Sequence, residues 1–164
     1  MGTFRLSNSK EHEAGDECLT CALVAARDRG AAPDWDAIYR TAHWDIVHAL
    51  NSHLLGWICI VTRKHHHAIA DVEARAMAEV GTLIHDVSTA LAEIVGCERT
   101  YVMQFGEAPG HAHVHFHVVP RPHDIPESHK GANAFGYLGA SESERVPEAE
   151  MNAFALKLRA ALAE

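Results

Sequence analysis

Four histidines alternate along one short run, HAHVHFHVVPR at 111–121: His111, His113, His115 and His117. The residues between them, Ala112, Val114, Phe116 and Val118, are apolar. Successive strand side chains point to opposite faces, so the run reads as a β-strand with one core face and one face of imidazoles. Three readings fit such a face: a solvent-exposed histidine-rich surface, a metal site built from several rings, or nucleophilic catalysis by one imidazole tuned by its neighbours. Same-face neighbours on a strand lie roughly 6.5–7 Å apart, whereas zinc needs ligand nitrogens about 2 Å from the ion. Three histidines in a line therefore converge poorly on one ion. A row is better matched to a linear substrate laid along the strand. A neutral imidazole, with an ordinary pKa of about 6.5, carries a free lone pair at physiological pH. Phosphoryl and nucleotidyl transfer mostly need positioning and charge stabilisation, which a row of ring N–H donors supplies.

A second cluster of chemistry lies near the N-terminus. Cys18 and Cys21, in CLTC, stand three apart and share one face of a first helical turn. The spacing suits either a zinc knuckle or a redox pair. A redox Cys-x-x-Cys would follow a core strand, and the preceding SKEHEAGDE is not one. Cys59 in an apolar strand and Cys97 at a helix end read as small buried groups. Trp35, Trp44 and Trp57 read as core or interface residues rather than base-stacking platforms.

The elements that must hold these groups follow from periodicity and turn signals. GDECLTCALVAARDRG at 15–30 reads as a helix with Asp16 as N-cap and Gly30 as stop. AIYRT (37–41), WDIVHAL (44–50) and GWICIVT (56–62) read as strands. Val72, Ala76, Val80, Leu83, Val87 and Leu91 repeat at helical spacing and predict a long helix over about 71–95, ended by Gly96. RTYVMQF (99–105) is a fourth strand and the histidine run a fifth. A long stretch rich in turn residues follows, and the chain ends in a helix with Pro147 in its first turn. The order is α-β3-α-β2-α. Short links favour antiparallel neighbours, so the expected fold class is α+β, an antiparallel sheet of about five strands with packed helices.

With 164 residues and no strong internal boundary, the chain is expected to form a single domain over 1–164. Residues 1–15 read as a flexible N-terminal segment and 123–164 as a C-terminal extension ending in a helix. The formal charge of −8 argues against a broad nucleic-acid surface. No apolar run approaches the roughly 18 residues of a membrane span. No apolar leader is visible, and four cysteines without export signals suggest a cytoplasmic, reduced protein.

At this point the residues match a family. His113-Val-His115-Phe-His117-Val-Val resembles the histidine-triad pattern, with Pro120-Arg121 continuing as in many members. MQFGEAPG (103–110) resembles the segment preceding the triad in dinucleoside polyphosphate hydrolases of the fragile-histidine-triad branch. GWICIVTRKH (56–65) resembles the family's glycine-led strand ending in Lys/Arg and His. The resemblance covers roughly residues 18–122. It implies a hydrolase or nucleotidyl transferase cleaving at the α-phosphorus of a purine nucleotide derivative, a dinucleoside polyphosphate or a nucleoside phosphoramidate. The nucleophile would be His115, which becomes covalently nucleotidylated. His117 would contact phosphate oxygens and the leaving group, and His113 would sit beside the nucleophile. Gln104 matches a phosphate-contacting glutamine, and Asn51 lies near the position of a ribose-contacting residue. His111 stands close to the place of a missing Ser or Thr that helps hold the leaving group.

The resemblance also extends to zinc-containing bacterial members. It implies one structural zinc per chain held by Cys18, Cys21, His65 and His113, with His66 the substitute if the register slips by one. No organic cofactor is implied. A homodimer is the family's usual state, with FGYLG (135–139) available to shape the pocket or the partner contact. Two departures stand out. The family's Gly-Gln-Ser/Thr-Val before the triad is absent, and its usual Gly-His in the third strand is Gly56-Trp57 here. The alternatives are a phosphorylase or transferase using phosphate as acceptor, and a nucleotide- and zinc-binding protein with little turnover.

Overall fold

The computed structural model describes residues 18–163. Helix α1 spans Leu19–Asp28, and a 3-10 turn at Asp34–Asp36 leads into β1 (Tyr39–Arg40), β2 (Trp44–His48) and β3 (Ile58–Thr62). A second 3-10 turn (Ile69–Asp71) precedes helix α2 (Ala74–Val95), followed by β4 (Thr100–Met103) and β5 (His115–Pro120). Two further 3-10 helices, Glu127–His129 and Gly131–Tyr137, lead to helix α3 (Glu148–Ala161). The expected Asp16 cap lies outside the described residues. The observed N-cap of α1 is Cys18, whose Sγ accepts the Cys21 N–H at 3.4 Å.

The strands form one antiparallel sheet in the order β1-β2-β3-β5-β4. The α+β class and the five strands agree with the expectation, but the strands are shorter. In particular β5 begins at His115, so His111 and His113 precede the ladder rather than extend it. The Val114 N–H bonds the His66 carbonyl instead, at 2.8 Å, and the Val114 carbonyl accepts from Thr62.

Alternation sorts the sheet into two faces. Trp44 and Ile46 of β2, Ile58 and Ile60 of β3, and Phe116 and Val118 of β5 pack with Val80, Leu83, Val87 and Leu91 of α2 and with Met151, Phe154 and Leu158 of α3. Gly56, at φ +88, admits the close approach of this layer to the β2–β3 loop: a Cβ there would meet Leu91 Cδ2 at 3.2 Å. The opposite face carries His115 and His117. At one end α1 covers it through Val24 on Val47 and Val61. At the other end Ala134 and Phe135 of the Gly131–Tyr137 helix pack on Trp57 and Val119. The histidines lie between these two covers.

Candidate active site and metal centre

The metal candidates come from three parts of the chain. Cys18 and Cys21 begin α1, His65 follows β3, and His113 precedes β5. One donor atom from each lies within 4.8 Å of all the others, so the four form a cluster able to hold an ion. Cys21 Sγ is 3.2 Å from His65 Nδ1 and 3.6 Å from His113 Nδ1, and Cys18 Sγ is 3.7 Å from His113 Nδ1. The ring that reaches Cys21 is His65. His66 contributes its backbone carbonyl to Val114.

The donor set fits zinc. Two sulfurs and two imidazole nitrogens form a closed tetrahedral set with no position left for substrate, the pattern of a structural ion. His113 is fully buried, and its Nε2–H donates to the Thr62 carbonyl at 2.7 Å. That bond fixes the tautomer and leaves the Nδ1 lone pair facing the sulfurs, the outer-shell arrangement of a ligating histidine. Burial holds the His113 pKa down to about 4, so the ring is neutral. Burial, and then the neighbouring Cys18 sulfur, pushes the Cys21 thiol up to about 11. An ion would replace that proton, since the ligand is the thiolate.

The remaining two triad histidines form a directed hydrogen-bond chain. The Trp57 indole, which can only donate, gives its Nε1–H to His117 Nδ1 at 3.0 Å. His117 must then carry its proton on Nε2, which lies 3.1 Å from His115 Nε2. At the far end His115 Nδ1 is 2.7 Å from the His113 carbonyl and must donate to it. Both ends impose the same direction, and the lone pair of His115 falls on Nε2. Burial lowers both pKa values, that of His117 to about 3, with the His115 ring adding to the effect there.

No family model matches the chain, and no curated protein matches it. Solved structures do. A Hit-like protein involved in cell-cycle regulation from Bartonella henselae aligns over 84% of this chain and 93% of its own, at 20% identity and a TM-score of 0.64. A zinc-bound histidine triad family protein from Mycobacterium smegmatis aligns over 89% and 93%, at 22% identity and a TM-score of 0.62. A hypothetical histidine triad nucleotide-binding protein from Sulfolobus tokodaii aligns over 87% and 92%, at 14% identity and a TM-score of 0.64. The chain has the histidine-triad fold.

On this histidine-triad fold the other expected site residues are placed unevenly. Gln104 follows β4, and a Cβ on Gly106 would meet its Nε2 at 3.2 Å and the His113 carbonyl oxygen at 3.5 Å. The Gln104 amide and the His113 carbonyl thus both lie against Gly106. His111 is drawn toward α1, with Nδ1 2.8 Å from Thr20 Oγ1. Asn51 is exposed in the β2–β3 loop, where its backbone carbonyl accepts from Ala140, and its side chain makes no hydrogen bond among the described residues.

Two partners of the triad, Thr62 and Trp57, were not legible in the sequence, and a third, Phe135, opens the FGYLG run that the sequence offers for shaping the pocket. The Thr62 carbonyl acts through backbone, so no side-chain signal marks it. Phe135 packs edge-on to His117 with centroids 5.0 Å apart, from the distant Gly131–Tyr137 helix. Trp57 was read as core, and it is fully buried, yet its N–H is spent on the triad. Its position in place of the usual histidine was the available signal. Among the described residues no helix is long and apolar enough to cross a membrane.

Proposed function

We propose that this chain is a histidine-triad enzyme that transfers a nucleoside monophosphate from a purine nucleotide derivative to His115 and then to water. The observation that carries the reading is the His115 tautomer. Its Nδ1–H is committed to the His113 carbonyl at 2.7 Å, which leaves the Nε2 lone pair to attack phosphorus. In the first step a bond forms from Nε2 to the α-phosphorus and the bond to the leaving group breaks. In the second, water attacks the same phosphorus, the phosphorus–nitrogen bond breaks with its electron pair returning to Nε2, and the water's proton leaves to solvent. His117 Nε2–H, 3.1 Å from His115 Nε2, passes to the phosphate oxygens as phosphorus takes that lone pair, and Gln104 contacts the phosphate as the family resemblance implies.

In this reading Cys18, Cys21, His65 and His113 hold one zinc, which when bound ties α1, β3 and the approach to β5 together and takes no part in the chemistry. The reading extends to a cytoplasmic homodimer. Its support is that the described cysteines are free thiols and that β4 is an outer strand with Val102 45% exposed.

The test is to incubate the protein with a diadenosine polyphosphate and with adenosine phosphoramidate and follow AMP, with His115→Ala in parallel. AMP release that disappears in the variant, with an adenylylated peptide spanning His115 after an alkaline quench, is the expected result. Nucleotide binding without release, or full activity in the variant, would overturn the reading.

A further inference from the structure

We infer that Trp57 makes the site selective for leaving groups that depart as anions, phosphoanhydrides over phosphoramidates, by denying His117 a second proton. This rests on the reading of the site given above and narrows its substrate class.

An indole nitrogen has one N–H and no acceptor. Trp57 Nε1–H lies 3.0 Å from His117 Nδ1, and both rings are buried, so no water is at hand to relieve a mismatch. If His117 took up a proton, Nδ1–H would face Nε1–H, two donors whose nearest acceptor is the weakly accepting Cys59 sulfur, 3.5 Å from Nδ1. Leaving a buried donor unsatisfied is costly, and more so for a charged group. The other groups around His117 offer little compensation. Burial pushes the Cys59 thiol up to about 12, so its sulfur stays uncharged and accepts only weakly. His115 is a second imidazole, Met103 pairs with His117 across β4, and Phe135 presents an apolar edge. No carboxylate contacts the ring among the described residues.

His117 is therefore a neutral donor. It can stabilise charge with its Nε2–H, but it has no spare proton to give, because losing the only one leaves an imidazolate. The two bond cleavages differ in what this permits. In an anhydride the bond from the α-phosphorus to the bridging oxygen breaks and its electron pair stays on that oxygen. The leaving phosphate has a second pKa of about 6, so it departs without a proton. In a phosphoramidate the phosphorus–nitrogen bond breaks, and the pair on nitrogen must receive a proton for an amine to leave. A neutral His117 does not supply it. A histidine at position 57, as in the usual Gly-His pattern, could turn an acceptor toward Nδ1 and allow the imidazolium. Tryptophan cannot. Trp57 is thus a positioning residue that acts through His117.

The experiment compares kcat/KM for diadenosine triphosphate and adenosine phosphoramidate in the wild-type chain and in Trp57→Phe and Trp57→His. General acid catalysis is worth about 10²–10⁴-fold, so the wild type is expected to favour the anhydride by about a hundredfold or more. Trp57→His should narrow that ratio by about tenfold or more, through the phosphoramidate, with Trp57→Phe intermediate. Histidine-labelled nitrogen NMR gives a readout that needs no turnover and holds even for a weakly folded variant. In the wild type, His117 should keep a single Nε2–H tautomer on acidification to pH 5, and in Trp57→His it should protonate at higher pH. Equal use of both substrates by the wild type, or an unchanged ratio in Trp57→His, would overturn the inference while leaving the nucleotidyl-transfer reading intact. A wild-type His117 whose proton sits on Nδ1 would overturn it too. AMP from neither substrate would sink both.

Discussion

His113 gives its Nε2–H to the Thr62 carbonyl, 2.7 Å away, and so aims Nδ1 at the sulfurs of Cys18 and Cys21, 3.7 and 3.6 Å off. The same residue's own carbonyl accepts from His115 Nδ1 at 2.7 Å. One histidine thus serves the Cys/His cluster with its side chain and the His115 imidazole with its backbone. A disturbance at the sulfurs has a short path to His115.

The first prediction concerns that cluster. Freshly purified protein should contain about one zinc per chain, the stoichiometry of a closed structural site. The Cys18→Ala, Cys21→Ala double variant should contain none and melt about 4–12 °C lower, as a loss of about 2–3 kcal/mol does in a chain of this size. Elemental analysis and calorimetry read both. Metal-free wild type, or a variant with an unchanged melting temperature, contradicts it.

Gly110 tests how tightly α1 is docked on the loop before His111. The Leu19 N–H donates to the Gly110 carbonyl at 2.8 Å, and Gly110 sits at φ +76. A Cβ there would lie 2.8 Å from Leu19 Cδ1 and 3.0 Å from Leu19 Cγ. Gly110→Ala combines a left-handed backbone cost of about 1–2 kcal/mol with this collision. The expected outcome is a lower denaturation midpoint and weaker zinc retention against a chelator, since Leu19 lies beside Cys18. Chelator resistance equal to wild type would show that the loop and α1 move independently.

The motifs carried further than the periodicity did. His-φ-His-φ-His and Cys-x-x-Cys are short patterns whose residue types restrict what they can do, and the alternating apolar residues at 114, 116 and 118 set which side faces the core. The same alternation misled on length. It continues back to His111, but the ladder stops at His115 because the Val114 N–H finds the His66 carbonyl instead of a β3 partner. Contacts made by backbone atoms, such as Thr62 with His113, leave no trace in residue type. Contacts from far along the chain, such as Phe135 with His117, depend on how the 123–147 segment folds back, and irregular segments carry little periodic signal. Leu138 pairs with Ser52, and Ala140 and Val146 bond the carbonyls of Asn51 and Ser52, a closure that no local pattern announces.

The side of the sheet that carries the triad is also braced by charge. Arg27 of α1 is buried, its Nη2 2.7 Å from Asp36 and its Nη1 3.3 Å from Asp45. Asp45 also pairs with Arg40 at 2.6 Å. Removing Arg27 leaves Asp45 with Arg40 but strands the buried Asp36, and breaking a buried pair in this way costs about 3–5 kcal/mol. Arg27→Ala should therefore destabilise the fold by that order, whereas Lys64→Ala, which breaks the exposed pair with Glu73, should cost no more than about 1 kcal/mol. Denaturant midpoints of the two variants decide the matter. Similar losses in both would mean that the Arg27 cluster is no more than a surface pair.

Acid sensitivity should trace in part to His48. Its ring is fully buried at the end of β2, where Nε2 accepts the Gly56 N–H at 2.9 Å and Nδ1 donates to the Ala49 carbonyl at 2.9 Å. These two bonds clasp both ends of the β2–β3 loop. Burial lowers its pKa to about 4, against an ordinary value of 6.5. The sign follows from proton binding. Above pH 6.5 the ring is neutral in both the folded and the unfolded chain, so His48 adds no pH dependence. Between pH 6.5 and 4 the unfolded chain takes up the proton first, and stability falls as pH falls, by about 2 kcal/mol from this group by pH 5. His48→Gln, which keeps an acceptor for Gly56 but cannot titrate, should be less stable at pH 7.5 and should lose less stability than wild type on going to pH 5. Urea midpoints at the two pH values measure the difference. Parallel losses in the two proteins would mean that the His48 ring has the same proton affinity folded and unfolded, and that the acid sensitivity lies with other groups.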